Sequence, residues 1–235
     1  MTLVAATPHP VTRAMAAEIV VRADAHDEFW LWAGVRPHAA VATAKTLYVL
    51  QGEIGPSPDG TIRLRPQGAS RPGPHRQELW LVYRVRSLAF TPEILRALIE
   101  RCAQWKAQTG PFAGLQLDFD AGTKGLASYA AFLREVRAAL PADYRLGVTG
   151  LMDWASQADP KDLDALADVV DEIIFQTYRG RTTVEDIDAY IRRLARLRIP
   201  FKLGLAEGAV WPSPAYIAAN PHFRGYVVFL QNGSR

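Results

Sequence analysis

The sequence predicts an α/β fold, a single (β/α)8 barrel of the TIM type, on three observations. The chain has 235 residues, a length usual for one such barrel. Apolar residues make up 49% of it, which is enough for a sizeable core. Short β-like segments alternate with amphipathic helical segments, and this alternation indicates parallel strands joined by right-handed crossovers.

Eight segments are candidate strands, because each is short, rich in β-branched or aromatic residues and bounded by Gly, Pro or polar residues. In chain order they are 29–34, 46–51, 78–85, 114–120, 144–150, 172–178, 201–206 and 225–231. Eight strands favour a closed barrel over an open sheet.

The helices between these strands carry start and stop signals. Thr91 followed by Pro92 and Glu93 is typical of a helix N-terminus, and the Gly-Pro pair at 110–111 ends that helix. An apolar stripe with helical spacing runs from Leu126 to Leu140 and stops at the following proline.

The pattern departs from an ideal barrel in two places. No helical pattern links the second and third strands, where the run 62–65 predicts a hairpin, and no helix follows the eighth strand. The segment 11–21 is compatible with a helix that covers the barrel. We expect one domain over 1–235, with 1–28 as an N-terminal covering segment and 29–232 as the barrel.

Composition excludes several classes of function. The net charge is only +3 and the arginines are dispersed, so no nucleic-acid partner is expected. No apolar run approaches the ~20 residues of a membrane span. The single cysteine, Cys102, fits a helical core stripe. The five histidines lack metal-ligand spacing, and no P-loop, G-x-G-x-x-G or G-x-S-x-G motif occurs, so neither metal nor cofactor is expected.

The fourth strand gives the strongest signal for a site. Side chains alternate along a strand, so Gln116, Asp118 and Asp120 share the face that points into the barrel. Active sites of such barrels lie at the C-terminal ends of the strands. Buried carboxylates are costly unless they are paired or functional, and neighbouring acids can push each other's pKa apart. Alternatively, Asp118 pairs with an inward Lys202 or Arg84, and Asp120 caps the next helix.

Other strand ends supply further candidates. Gln176 and Tyr178 share a face at the sixth strand and could orient a polar ligand, although a core tyrosine has the same pattern. Tryptophan rings suit sugar stacking. The candidates just after strand ends are the possible sugar platforms Trp32, Trp154 and Trp211 and the reserve acids Glu207 and Glu53.

Residues 112–120, FAGLQLDFD, resemble the strand-four signature D-G-x-D-x-D-x-E of chitinase-like glycoside hydrolases. Asp118 matches the third Asp, and Asp120 stands at the position of the catalytic Glu. Residues 175–178 are similar to the strand-six motif of that group, in which a Tyr touches the substrate. The resemblance implies that Asp120 is the proton donor, with a side chain one carbon too short.

A closer resemblance is to an uncharacterised bacterial family of barrel proteins. Its features are a Trp-rich first strand, a central Q-x-D-F-D-A and a helix that ends in Leu-Pro, which match 30–32, 116–121 and 140–141. Members are often exported or lipid-anchored. Residues 1–10 carry no export signal, so the location is either cytoplasmic or set by a signal absent from this chain.

Three functions remain open. The favoured one is a glycoside hydrolase acting on a polysaccharide or oligosaccharide, with Asp120 as general acid, Asp118 as its electrostatic partner or nucleophile, and Glu207 as a further acid. The second is a non-catalytic polysaccharide-binding barrel. The third is another chemistry on the same carboxylates, such as a lyase or metal-assisted hydrolysis.

Overall fold

The computed structural model describes residues 18–35, 39–68, 76–108, 110–194 and 197–232. Eight parallel strands pair in sequence order around a closed barrel, and the eighth pairs with the first through Val228 and Phe29. This confirms the predicted (β/α)8 barrel. The barrel strands are β1 (Glu28–Leu31), β2 (Thr46–Pro56), β3 (Glu78–Val85), β4 (Phe112–Asp118), β5 (Arg145–Leu151), β6 (Glu172–Gln176), β7 (Phe201–Ala206) and β8 (Phe223–Phe229).

Helices lie between most barrel strands. They are α1 (Ala39–Ala42), α2 (Pro92–Gln108), α3 (Leu126–Ala139), α4 (Trp154–Gln157), α5 (Pro160–Ala167) and α6 (Ile187–Leu194), with 3-10 turns at Ala23–Ala25, Thr123–Gly125 and Ala215–Ala219. The hairpin predicted after β2 is present, because Ile62–Pro66 runs antiparallel to the end of β2. Two further short pairs join Ile19–Val20 to Val210–Trp211 and Tyr178–Arg179 to Thr182–Thr183.

Only residues 18–21 of the predicted N-terminal covering helix belong to the part of the chain that the structure describes. Residues 1–17 lie outside the described residues. The last part of the predicted helix is a strand, since Ile19–Val20 pairs with Val210–Trp211 and the Val21 amide donates to the Ala209 carbonyl at 2.8 Å. Backbone pairing with the loop after β7 therefore overrides the helical pattern there.

Four barrel strands end earlier than predicted, namely β1, β4, β6 and β8, and the ends of β4 and β6 bear on the site. β4 ends at Asp118 because its pairing with β5 stops at Leu117, so Asp120 lies in the following loop. β6 ends at Gln176, and Tyr178 begins a separate short hairpin.

Two apolar layers form the core, one inside the barrel and one between strands and helices. Leu115 and Leu117 pack in the helix-side layer. The interior layer is aromatic and contains Trp30, Tyr48, Trp80 and Phe229, among others. Gln116 and Asp118 are buried on the interior face of β4, as the alternation predicts.

A buried ionic network closes the N-terminal end of the barrel. The Lys202 ammonium lies 2.5 Å from Glu28 Oε2 and 3.1 Å from Glu172 Oε2, and the Tyr48 hydroxyl donates to Glu172 Oε1 at 2.5 Å. Burial raises the pKa of Glu28 despite the opposing charge of Lys202. Lys202 is thus committed to the opposite end of the barrel from Asp118, and the alternative pairing of these two residues is wrong.

Cys102 is expected to be inert in the folded protein. Its side chain is fully buried on α2, and burial raises the pKa of the thiol to about 12. Because the thiolate is the reactive form, a thiol reagent such as DTNB should label the protein at pH 8 only after unfolding in guanidinium. Labelling of the native protein at the rate of a free thiol would contradict the core position.

Candidate functional site

The C-terminal ends of the strands surround a cavity of about 960 Å³, at the upper end of the usual size for small-molecule sites. Six barrel strands contribute residues at or next to their ends. The lining residues are Trp32, Ala33, Val35, Arg84, Asp118, Asp120, Leu151, Met152, Asp153, Gln176, Tyr178, Arg179, Gly180, Arg181, Val184, Leu230, Gln231 and Asn232. The predicted face of the barrel therefore holds an open chamber.

Asp118 forms the floor of this cavity and is only 4% exposed. The Thr149 hydroxyl donates a 2.6 Å hydrogen bond to Asp118 Oδ1. Burial is the main cause that raises the pKa of Asp118, and the charge of Asp120 adds to it, while the Thr149 hydrogen bond and Arg84 oppose it. Asp118 therefore keeps its proton to a higher pH than an ordinary aspartate.

Asp120 occupies a different environment, with a side chain that is 61% exposed. Its carboxylate lies 3.8 Å from the Arg84 guanidinium. The alternative role for Asp120 as a helix cap is wrong, because Gly122 holds the N-cap position of the next turn and no side chain caps it. The two aspartates thus offer one buried and one solvated carboxyl to the same cavity.

Tyr178 places a hydroxyl beside the two carboxylates. Its ring packs on Phe229 with centroids 5.1 Å apart, and the buried hydroxyl has no hydrogen-bond partner among the described residues. Burial, followed by the charges of Asp118 and Asp120, raises the pKa of Tyr178 well above its usual value. The phenol thus remains a hydrogen-bond donor, and Gln176 lines the same wall.

Gln116 is fully buried and does not line the cavity. The Trp30 indole donates to Gln116 Oε1 at 2.9 Å. The prediction that Gln116 binds substrate is therefore corrected. Gln116 lies two residues before Asp118 on β4, deeper in the barrel, and belongs to the barrel interior.

Of the three predicted tryptophan platforms, only Trp32 lies at the cavity, with the Arg84 guanidinium 6.0 Å from its ring centroid. Trp154 is fully buried, donates to the Ala121 carbonyl at 2.8 Å and packs against Phe175 on the helix side. Trp211 is buried beside Tyr226. Neither buried ring can stack on a ligand in this structure, because the loop that follows each strand folds its tryptophan into the core.

The reserve acids have structural partners and lie outside the cavity. Glu207 Oε2 accepts a 3.0 Å hydrogen bond from the Gln231 amide and so joins the loops after β7 and β8. Glu53 lies between the guanidinium groups of Arg65 and Arg86, at 3.1 and 3.2 Å. The structure therefore does not place Glu207 with the two aspartates.

Four charged residues of the cavity were not among the site residues predicted from the sequence, although Arg84 was named as a possible partner of Asp118. They are Arg84 on β3, Asp153 just after β5, and Arg179 and Arg181 after β6. The location of barrel active sites at strand ends points to Arg84 and Asp153, because each lies within two residues of a strand end.

Among the residues that the structure describes, no cluster of His, Cys, Asp or Glu could hold a metal ion, and no helix is long and apolar enough to cross a membrane.

The fold and cavity define a (β/α)8 barrel whose C-terminal face carries a chamber lined by three aspartates, three arginines, Trp32 and Tyr178, among others. The chitinase domain of the spore coat protein CotE from Clostridium difficile has a similar structure, with a TM-score of 0.50 and 12% identity over 85% of this chain and 68% of that one. This likeness concerns the barrel fold alone. The chain belongs to the family described as Domain of unknown function (DUF3142), whose model matches residues 87–205.

A second similar structure is the spore cortex-lytic enzyme SleL of Bacillus cereus, with a TM-score of 0.48 and 15% identity. The match covers 69% of this chain but only 44% of the SleL chain. A comparison with curated proteins gives no match.

Proposed function

We propose that this protein is a glycoside hydrolase that binds a polysaccharide or oligosaccharide in the cavity at the C-terminal face. One observation carries the proposal. Asp118 and Asp120 face the same cavity in opposite environments, with Asp118 buried and its pKa raised and Asp120 solvated. Most glycoside hydrolases use a pair of carboxyl groups, in which one donates a proton and the other acts as an anion.

The environments suggest how the pair would work. Asp118 keeps its proton to a higher pH than an ordinary aspartate, and Asp120 lines the cavity with an exposed carboxylate. We propose that a proton passes from Asp118 through Asp120 to the leaving oxygen as the glycosidic bond breaks, and that Asp118, then an anion, stabilises the positive charge on the sugar. Water adds to the anomeric carbon and returns its other proton to the aspartate pair. The Tyr178 hydroxyl and Gln176 would hold hydroxyl or acyl groups of the sugar.

A non-catalytic polysaccharide-binding barrel is the second candidate, and one observation favours it. No Glu lines the cavity among the described residues, and Asp120 is one carbon shorter than the Glu of the similar motif. A displacement of about 1 Å can cost roughly 100-fold in rate. Such a protein would keep the binding surface and lack turnover.

A panel of soluble polysaccharides, measured both for binding and for released reducing ends, separates these candidates. Release of reducing ends by the purified protein is the result expected of a hydrolase. Binding without release on every glycan would assign the binding barrel. The absence of both binding and release across the panel would contradict the proposal of a carbohydrate site.

Replacement of Trp32 by alanine should weaken binding to the responding glycan about 3- to 10-fold, because the ring lines the cavity and aromatic contacts contribute on this scale. Isothermal titration calorimetry would measure the change. Tyr216→Ala is the matched control, since Tyr216 is an exposed aromatic residue outside the cavity. Equal affinities for the Trp32 variant and the wild type would exclude Trp32 as a platform.

A further inference from the structure

A second chamber of about 610 Å³ adjoins the cavity on the side of α6. Four residues line both chambers, namely Met152, Asp153, Arg179 and Val184. Because they share these residues, the two chambers lie side by side, and together they are called the groove. Tyr190, which lies on α6, borders only the second chamber.

The Asp153 carboxylate is the feature that requires an explanation. Its Oδ1 atom is buried and has no hydrogen-bond partner among the described residues. A buried polar atom without a partner costs folding free energy, so its presence needs an explanation beyond folding stability. Asp153 lines both chambers where they meet, so its carboxylate borders any molecule that spans them.

Helix capping does not account for Asp153. It precedes α4, but its side chain makes no capping hydrogen bond and its backbone is already helical, with φ −71° and ψ −18°. Asp159, at the start of α5, shows the usual arrangement, because its extended backbone lets the carboxylate accept from the Lys161 amide at 2.9 Å. Two aspartates at neighbouring helix starts thus have different roles, and only Asp159 stabilises its helix.

The remaining groups of the second chamber suit a sugar ring. The Arg179 guanidinium can donate to hydroxyl or carbonyl oxygens, and the Asp153 carboxylate can accept from hydroxyls. The partly buried Tyr190 ring and Met152 supply apolar contact. The Tyr178–Arg179 hairpin that carries the guanidinium is anchored, since the Thr183 hydroxyl donates to the Val210 carbonyl at 2.6 Å.

We propose that the second chamber is a saccharide subsite in which Asp153 binds a hydroxyl of a sugar unit beyond the one at Asp118 and Asp120. The inference rests on the proposed function and deepens it. It implies that the substrate is a linear chain of sugar units that extends past Asp118 and Asp120 toward α6. A mono- or disaccharide would fill only part of the groove.

The test compares dimers and pentamers of the cello-, xylo-, manno- and chito-oligosaccharide series by isothermal titration calorimetry. In the series that binds, the wild type should bind the pentamer at least tenfold more tightly than the dimer. Asp153→Ala should lower this ratio about tenfold, the usual effect of losing one hydrogen bond to a charged group. Asp159→Ala, the matched control, should keep the ratio while lowering the melting temperature.

Stability measurements provide a second test of Asp153. Removal of an unpartnered buried oxygen should leave the melting temperature of Asp153→Ala equal to or above that of the wild type. If Asp153→Ala does not fold, Asp153→Asn preserves the size of the side chain and allows the same affinity ratio to be measured.

The possible results separate the two proposals. Equal affinity for dimer and pentamer, or a ratio that Asp153→Ala leaves unchanged, would overturn the subsite while binding of the dimer still supports the proposed function. If no oligosaccharide and no polysaccharide of the panel binds, the proposed function fails and the subsite fails with it.

Discussion

Asp118→Asn is expected to lower turnover by about 100- to 10,000-fold, the range for loss of a group in acid–base catalysis, and to make the folded protein more stable at neutral pH. Asn keeps the size of the side chain, and its amide oxygen can still accept the Thr149 hydroxyl. It cannot ionise. The variant therefore removes the proton chemistry and, at the same time, the cost of a buried charge.

The sign of the stability change follows from the raised pKa of Asp118. A carboxyl whose pKa is higher in the folded state than in the unfolded state stabilises the fold fully at pH values below the unfolded pKa of roughly 3.9. That contribution is lost as the pH rises through the folded pKa. At pH 7 the variant should therefore be more stable by about 0.5–2 kcal/mol, the range of single stabilising substitutions.

Urea unfolding of both proteins between pH 4 and pH 8 measures this difference, which should grow with pH. Asp120→Asn is the matched control, since its side chain is 61% exposed. It should also abolish turnover, with the free energy of unfolding unchanged. Full activity in either variant would reject the role given to that residue, and a stability difference that is independent of pH would reject the buried ionisation of Asp118.

Lys202→Met is expected to destabilise the protein by about 3–5 kcal/mol, the usual effect of removing one partner from a buried ion cluster. The ammonium lies between Glu28 and Glu172 at the N-terminal end of the barrel. All three side chains are buried, so water cannot replace the ammonium as their partner. Without Lys202 the two carboxylates are buried and face each other with like charge. The two carboxylates must then take up protons, or they move apart and distort the first residues of β1 and β6.

Thermal and urea unfolding would measure the loss, which should shrink as the pH is lowered because protonation removes the uncompensated charges. The control is Lys106→Met, in which the same substitution breaks the exposed pair with Asp143. Exposed pairs are screened by solvent and contribute little to stability, so this variant should be nearly as stable as the wild type. Similar losses in the two variants would show that burial does not govern the Lys202 network.

Local sequence pattern was sufficient for the architecture and for the inward face of β4, but not for Asp120, which lies in the loop after that strand. The alternation of strand and helix segments predicted eight parallel strands, and the hairpin after β2 followed from a short β-like run. The inward direction of Asp118 follows from the two-residue period of a strand, which depends only on backbone geometry. The same period carries Gln116 into the barrel, although it does not tell how deep in the barrel a side chain lies.

Residues after the strand ends could not be placed from the sequence, because no period fixes the direction of a side chain in a loop. Trp154 and Trp211 share their loop positions with Trp32, yet tertiary packing buries two rings and leaves the third at the cavity. Glu207 bonds to a backbone amide 24 positions away along the chain. Asp153 shares the lining of two chambers with Arg179, which lies in the hairpin after β6, and no local pattern predicts that arrangement.

The barrel, the face that carries the cavity and the inward position of Asp118 follow from the sequence alone, since each depends on a repeating local geometry. The folded chain is needed to explain why Asp118 is buried and Asp120 exposed, why Lys202 pairs at the far end of the barrel, and why a second chamber lies beside α6. These features depend on contacts between segments far apart in the chain, whose energies come from burial and charge pairing rather than from local pattern.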